Sequence, residues 1–200
     1  MNNKNFFAQY IKKLNETYLS LDIKKIEHIS EIVFKKIKSN NNIFVCGNGG
    51  AASVSNHFLC DFNKGVKLSS KKKLLPKIIS LSSSTEIITA ISNDISFEKI
   101  FSYQFENYVQ QNDLLLVFSC SGSSKNIKNI ENLANKKNIK VIKFYGFKNK
   151  FKPRNNEIVL NLETNNYGIC EDIFQSLLHM ISQNIRAKYI KNFNFEKNIL

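Results

Sequence analysis

Five short apolar runs punctuate the chain: NIFVC at 42–46, KIISLS at 77–82, DLLLVFS at 113–119, KVIKFY at 140–145 and EIVLNL at 157–162. Each is apolar on successive residues, rich in Ile, Val, Leu or Phe, and followed by a turn-rich stretch and then a helical one. Runs of this kind suit strands covered on both faces, and their alternation with helices predicts a parallel α/β sheet. Ahead of the first run, Phe7, Tyr10, Ile11, Leu14, Tyr18 and Leu21 recur at spacings of three and four, which marks one face of an amphipathic helix. Ile26, Ile29, Val33 and Ile37 mark a second. Beyond the last run, Ile173, Phe174, Leu177, Leu178, Ile181 and Ile185 predict a helix over about 170–190, and the weakly periodic KNFNFEKNIL that follows is expected to fray.

Composition bounds the partners. A chain of 200 residues that is 42% hydrophobic can bury one sizeable core, and no linker or repeat divides it, so residues 1–200 read as a single domain. No stretch approaches the ~20 apolar residues of a membrane span, and the N-terminus lacks the apolar centre of a signal peptide, so a cytoplasmic protein without a membrane partner is expected. Cys46, Cys60, Cys120 and Cys170 are widely spaced and read as reduced packing residues. The net charge of +13 comes from lysines scattered along the chain, with Arg154 and Arg186 the only arginines. That dispersal disfavours nucleic-acid binding, which concentrates basic residues on one element, but it still attracts anionic substrates.

Two strand-to-helix loops stand out. GNGG at 47–50 offers glycines and a helix N-terminus to an anion, although a tight turn would use the same glycines. SCSGSSKN at 119–126 places Ser119, Ser121, Ser123 and Ser124 around Gly122, more hydroxyls than an N-cap requires. With no Walker lysine and no GxGxxG pattern, a small phosphorylated ligand is favoured over a nucleotide. His57 and Asp61 lie four apart and share a helix face. His179 sits on the last helix, with Gln175 one turn and Asp172 two turns before it, and Glu171 about 80° off that line. Imidazoles and carboxylates are the usual groups for proton transfer and for metal ligation.

The glycine loop with His57 and Asp61, the AISND at 90–94, the serine loop and the late helix with His179 together resemble the phosphoheptose isomerase family of sugar isomerase (SIS) domains, over nearly the whole chain. The resemblance implies a three-layer α/β sandwich with a five-stranded parallel sheet in flavodoxin-like order. It also implies N-terminal helices over 1–38 that contribute to a homotetramer with active sites between subunits. The family converts sedoheptulose 7-phosphate to D-glycero-D-manno-heptose 7-phosphate through an enediolate, for the heptose of surface glycans. Ser119, Cys120, Ser121 and Ser124 match the positions that hold the substrate phosphate, and Asn48, Gly49 and Gly50 match the glycine loop. Asn93 and Asp94 match a pair lining the substrate site. His57, Asp61, Glu171 and His179 match positions that ligate zinc in some members, one ion per subunit, with Asp61 as base and His179 as acid.

The chain also departs from the family pattern. Asp61 stands where glutamate is usual, moving the carboxylate by roughly 1.5 Å. Glu171 replaces a glutamine, Ala51 a serine and Ser123 an asparagine. These changes raise the alternative of another ketose phosphate as substrate. A further alternative is a non-catalytic SIS adaptor resembling the tetrameric protein that binds the bacterial replication initiator.

Overall fold

The computed structural model describes residues 5–147 and 151–197; the single-domain reading and the expected frayed tail extend to 1–4, 148–150 and 198–200, which lie outside the described residues. The chain opens with α1 (Phe6–Leu19) and α2 (Ile23–Lys38), the latter begun by Asp22, whose carboxylate accepts from the Lys25 N–H at 3.0 Å. Then β1 (Asn42–Cys46) leads into α3 (Gly50–Cys60), a wider π-helical turn (Asp61–Val66) and the short α4 (Lys67–Ser69). The remainder runs β2 (Lys77–Ser80), α5 (Thr85–Asp94), α6 (Ile100–Tyr108), β3 (Leu114–Ser119), α7 (Lys125–Lys136), β4 (Lys140–Tyr145), β5 (Glu157–Asn161) and α8 (Tyr167–Ala187). Each strand falls on one of the five apolar runs.

All neighbouring strands are parallel, in the order β2-β1-β3-β4-β5. Alternate residues of each strand feed two separate cores. Ile43, Val45, Leu114, Leu116, Phe118, Ile142 and Phe144 pack with α2, α3 and α8, whereas Phe44, Cys46, Leu115, Val117, Val141 and Tyr145 pack with α6 and α7. The sheet is therefore the middle layer of three, which is why its strands are apolar on successive residues rather than on alternate ones.

One strand residue breaks that apolar rule. Lys143 on β4 is buried, with its ammonium 3.0 Å from Glu131 of α7 and 2.8 Å from Glu157 of β5. The Tyr145 hydroxyl also donates to Glu131. Burial pushes the Glu131 carboxyl up, with Lys143 and Tyr145 offsetting part of the shift. Burial pushes Glu157 the same way, but hydrogen bonds from Lys143, the Arg154 N–H and Asn135 outweigh it and hold that group below the usual carboxylate range.

The first helix is less buried than its spacing suggests. Thr17 is its buried residue; Tyr10, Leu14 and Tyr18 pack partly against the core, while Phe6, Phe7 and Ile11 stay exposed. It is tied to α8 by Tyr10, which donates to Asp172 at 2.7 Å, and by a 2.5 Å hydrogen bond between Tyr18 and Ser176. The bond to Asp172, aided by burial, raises the Tyr10 pKa to about 12.

Candidate active site

The chain leaves β1 towards β2 on one side and enters β3 on the other, so the loops after β1 and β3 emerge side by side at the point where strand order reverses. These are the glycine loop and the serine loop. A reciprocal pair of side-chain hydrogen bonds joins them: the Asn48 and Asn126 amides each donate to the other at 2.9 Å. Asn126 is buried and its Oδ1 also accepts from the Ile127 N–H, so the amide is held in one orientation. Ser82 adds a second tie, its hydroxyl accepting from the Gly47 N–H and donating to the Gly47 carbonyl.

Within the serine loop, Ser119 Oγ accepts from the Gly122 N–H at 3.1 Å, and Gly122 takes φ +60°, a conformation other residues rarely adopt. Ser121 accepts from both the backbone and the hydroxyl of Ser123. Ser124 precedes α7 without a side-chain cap bond, so its hydroxyl does not occupy the first N–H groups of α7, which a helix N-terminus leaves available to an anion. Cys120 is buried, and its thiol donates to the Cys170 sulfur. That bond and burial push the Cys120 thiol up, while the same bond and the Phe147 N–H lower Cys170. Cys120 can thus meet a phosphate through its backbone but not as a thiolate.

About two helical turns beyond the glycine loop, three of the predicted residues converge. His57 Nε2 lies 3.3 Å from Asp61 Oδ1, His179 Nε2 lies 3.9 Å from Asp61 Oδ2, and the two imidazole nitrogens are 3.2 Å apart. His57 on α3 and Asp61 on the π-helical turn that continues it meet by helical periodicity; His179 comes from α8, 122 residues after His57. Both imidazoles are partly open to solvent and the carboxylate is more enclosed, as suits a site that a substrate reaches from one side. Two imidazoles and a carboxylate within 4.8 Å of one another fit a divalent cation by donor type and spacing.

Glu171 is not brought to this cluster. A side-chain carbon built on Gly50 would overlap the Glu171 carboxylate, so Glu171 lies against the N-terminal end of α3, beside the glycine loop. The reason is helical rise: α3 and α8 run side by side in the same direction, and eight residues along α8 put Glu171 about 12 Å from the level of His179. Asn93 and Asp94 stand exposed at the end of α5, where Asn93 donates to Asp94 at 2.8 Å; among the described residues no hydrogen bond links them to either loop.

Ser182 and Asn126 escaped sequence reasoning, whereas spacing alone puts Gln175 one turn before His179. Ser182 is fully buried and donates to Asp61 Oδ2 at 3.1 Å, fixing the carboxylate. Gln175 reaches His179 Nε2 at 2.9 Å. Asn126 couples the loops. Ser182 and Gln175 flank His179 at three and four residues, a spacing that marks them as sharing its face. Asn126 gave no such signal, because its partner lies 78 residues away.

Comparison with known proteins identifies the family. The SIS domain profile matches residues 6–146. A probable phosphoheptose isomerase of Thermoplasma acidophilum is 31% identical over 181 residues, covering 90% of this chain and 98% of that protein. The chain belongs to the phosphoheptose isomerase family of SIS-domain proteins. A second relative in this family, the phosphoheptose isomerase of Campylobacter concisus, is 38% identical over an aligned region spanning about half of each chain (51% and 52%). The structure of a phosphoheptose isomerase from Francisella tularensis superposes with TM-score 0.81 at 23% identity, covering 92% of this chain and 95% of that one, which establishes the shared SIS fold.

Proposed function

We propose that this protein is an aldose–ketose isomerase that interconverts sedoheptulose 7-phosphate and D-glycero-D-manno-heptose 7-phosphate, supplying heptose for surface glycans. The observation that carries the reading is the approach of Asp61 and His179 from helices far apart in sequence. A carboxylate and an imidazole at one point are what proton shuttling between two neighbouring carbons requires.

The serine loop and the N-terminus of α7 would hold the phosphate, with Ser119, Ser121 and Ser124 as the hydroxyl donors and Cys120 contributing backbone. Asn48, Gly49 and Gly50 would line the adjoining wall, and Asn93 and Asp94 the sugar end. Asp61 removes the proton from the carbon beside the carbonyl, the C–H electrons form the enediolate double bond, and His179 protonates the carbonyl oxygen. Return of the carbon-bound proton to the neighbouring carbon, with loss of the other hydroxyl proton, completes the transfer. Ser182 keeps the shorter Asp61 arm aimed at the site. A divalent cation of zinc type, held by His57, Asp61 and His179, would supply Lewis acidity at the substrate oxygens.

A homotetramer is supported by Phe6, Phe7, Ile11 and Leu19 on α1 and Ile23 at the start of α2, exposed apolar side chains that packing against further copies would remove from water. A cytoplasmic location goes with this reading, because a charged phosphosugar does not cross a bilayer unaided. Asp61 in place of glutamate keeps one competing reading open, isomerisation of a different ketose phosphate. Incubation with sedoheptulose 7-phosphate in deuterated water, followed by NMR, tests both. The expected result is aldose formation with deuterium at the exchanging carbon, lost by roughly 10²–10⁴-fold in Asp61→Asn. Exchange with another ketose phosphate but not with this one selects the competing reading, and exchange with none overturns the assignment.

A further inference from the structure

The lysines are not evenly spread over the surface. Residues 64–77 carry Lys64, Lys67, Lys71, Lys72, Lys73 and Lys77 and no Asp or Glu, and all six lysines are exposed. Among the described residues none of them forms an ion pair with a carboxylate. The segment runs from the π-helical turn through α4 to the start of β2, the edge strand of the sheet. Its backbone is held in place. The Asn63 amide accepts from the Ile78 N–H and donates to the Ile78 carbonyl, both at 3.0 Å, Arg186 on α8 donates to the Ser69 hydroxyl at 2.9 Å, and the Ser70 hydroxyl accepts from the N–H of buried Leu74. Lys77 opens β2, so the turn at 70–76 lies at the N-terminal ends of the parallel strands, the far end of the sheet from the glycine and serine loops. Two apolar side chains stand among the charges: Leu68 is 69% exposed and Leu75 54%. Asn63, Lys64, Lys67, Leu68, Lys71 and Lys72 line an open groove of about 590 Å³. Lys71 and Lys72 take φ +52° and +63°, which glycine or asparagine adopts at less cost, so the turn itself gives no reason for lysine at either place.

We propose that residues 64–77 are a docking surface for an anionic lipid bilayer, with the lysines on the headgroups and Leu68 and Leu75 entering the boundary with the acyl chains. This goes beyond the isomerase reading and does not depend on it. Charge density comes first: a cluster of roughly four to eight lysines is drawn to an anionic membrane once it comes within a Debye length of the surface. The kind of cation comes next. Ammonium groups on flexible stems suit a mobile layer of headgroups, whereas nucleic-acid recognition draws on the planar arginine fork and on aromatic faces, and residues 64–77 hold neither arginine nor aromatic side chain. The leucines decide between the two. A bilayer offers them an apolar layer beneath the headgroups, and the lysine stems beside them can lie along the same boundary while their ammonium groups stay in water. Lying on a bilayer is a separate requirement from crossing one, for which no described helix is long and apolar enough. The expectation of no membrane partner, drawn from the lack of a span, therefore does not reach this surface.

Vesicle co-sedimentation of the full-length protein tests this, with vesicles of about 30% phosphatidylglycerol in phosphatidylcholine, vesicles of phosphatidylcholine alone, and a mixed-sequence DNA duplex measured by fluorescence anisotropy. The wild type is expected to bind the anionic vesicles at about 0.05 M salt, to ignore the neutral ones, and to be released at about 1 M salt, where the Debye length shrinks to ~3 Å. Lys71→Gly with Lys72→Gly and Lys73→Gln removes three charges and gives the two left-handed positions a residue that suits them, so the turn keeps its fold. It should weaken vesicle binding by about 100-fold, at roughly fivefold for each lysine near an anionic surface. Leu68→Ser keeps every charge and should weaken vesicle binding by about fivefold. Changing Lys99, Lys128 and Lys136 to glutamine, an equal loss of charge at exposed positions elsewhere, should stay within about threefold. A wild type that does not bind anionic vesicles overturns the proposal, as does an equal loss in the two triple variants or vesicle binding that Leu68→Ser leaves intact. Duplex binding tighter than vesicle binding, abolished by the changes at 71–73 and untouched by Leu68→Ser, would give the surface to nucleic acid instead.

Discussion

At the scale of single residues, the site depends on how one short carboxylate is aimed. Asp61 opens the π-helical turn Asp61–Val66, a rare geometry found often at functional positions, and still reaches both histidines. Its second oxygen is held by Ser182, a buried hydroxyl that would act through Asp61. Ser182→Ala is expected to lower kcat about tenfold with KM within twofold, because a hydrogen bond to a charged group is worth roughly 1.5–3 kcal/mol. Steady-state kinetics beside an unchanged circular dichroism spectrum checks this, and an unaltered kcat would show that Asp61 needs no such support.

Two connections between elements carry separate consequences. The Asn48–Asn126 pair joins the loops after β1 and β3, so loss of either amide frees the glycine loop from the phosphate loop. Asn126→Ala should raise KM for the phosphosugar by about tenfold, the equivalent of one net hydrogen bond, and change kcat by less. A KM equal to that of the wild type would mean that the loops hold their places independently. The second connection is Lys143, which neutralises Glu131 and Glu157 between β4, α7 and β5. Lys143→Met leaves two buried carboxylates without their cation and is expected to cost about 3–5 kcal/mol at pH 7 in urea unfolding. In the variant both carboxyls would have folded pKa values above their unfolded ones, so the penalty is present at high pH and is relieved as pH falls and they protonate. In the wild type the lowered pKa of Glu157 contributes stability that is kept throughout this range and lost only at more acid pH. The relief of the variant's penalty narrows the gap between the two proteins from pH 7 to pH 5; a gap that widens would contradict this account.

At the scale of the whole molecule, the unmatched feature is the apolar outer face of α1 and the start of α2. Phe7 is 73% exposed and Ile11 56%, values that a lone subunit has no packing reason to keep. Sedimentation velocity should show a tetramer, and Phe7→Glu combined with Ile11→Lys should shift it to smaller species while leaving the sheet and both loops intact. A monomer in the wild type, or a tetramer that survives both charges, would remove these helices from the interface. No described helix is long and apolar enough to cross a membrane.

The sequence by itself determined the layers and most of the chemistry. Apolar runs of strand length fixed five strands, because a strand covered on both faces must be apolar throughout, and each observed strand falls on its run. Helical spacing joined His57 to Asp61, since residues four apart on a helix are neighbours whatever surrounds them. Tertiary structure alone decided which distant residues met. His179 reached that pair and Glu171 did not, because the pairing of α3 with α8 sets the level at which each residue faces its neighbour, and rise along α8 parts the two by about 12 Å. The buried Lys143 and the Asn48–Asn126 bridge were illegible for the same reason: each is defined by partners that only the packed sheet and its crossovers bring into reach.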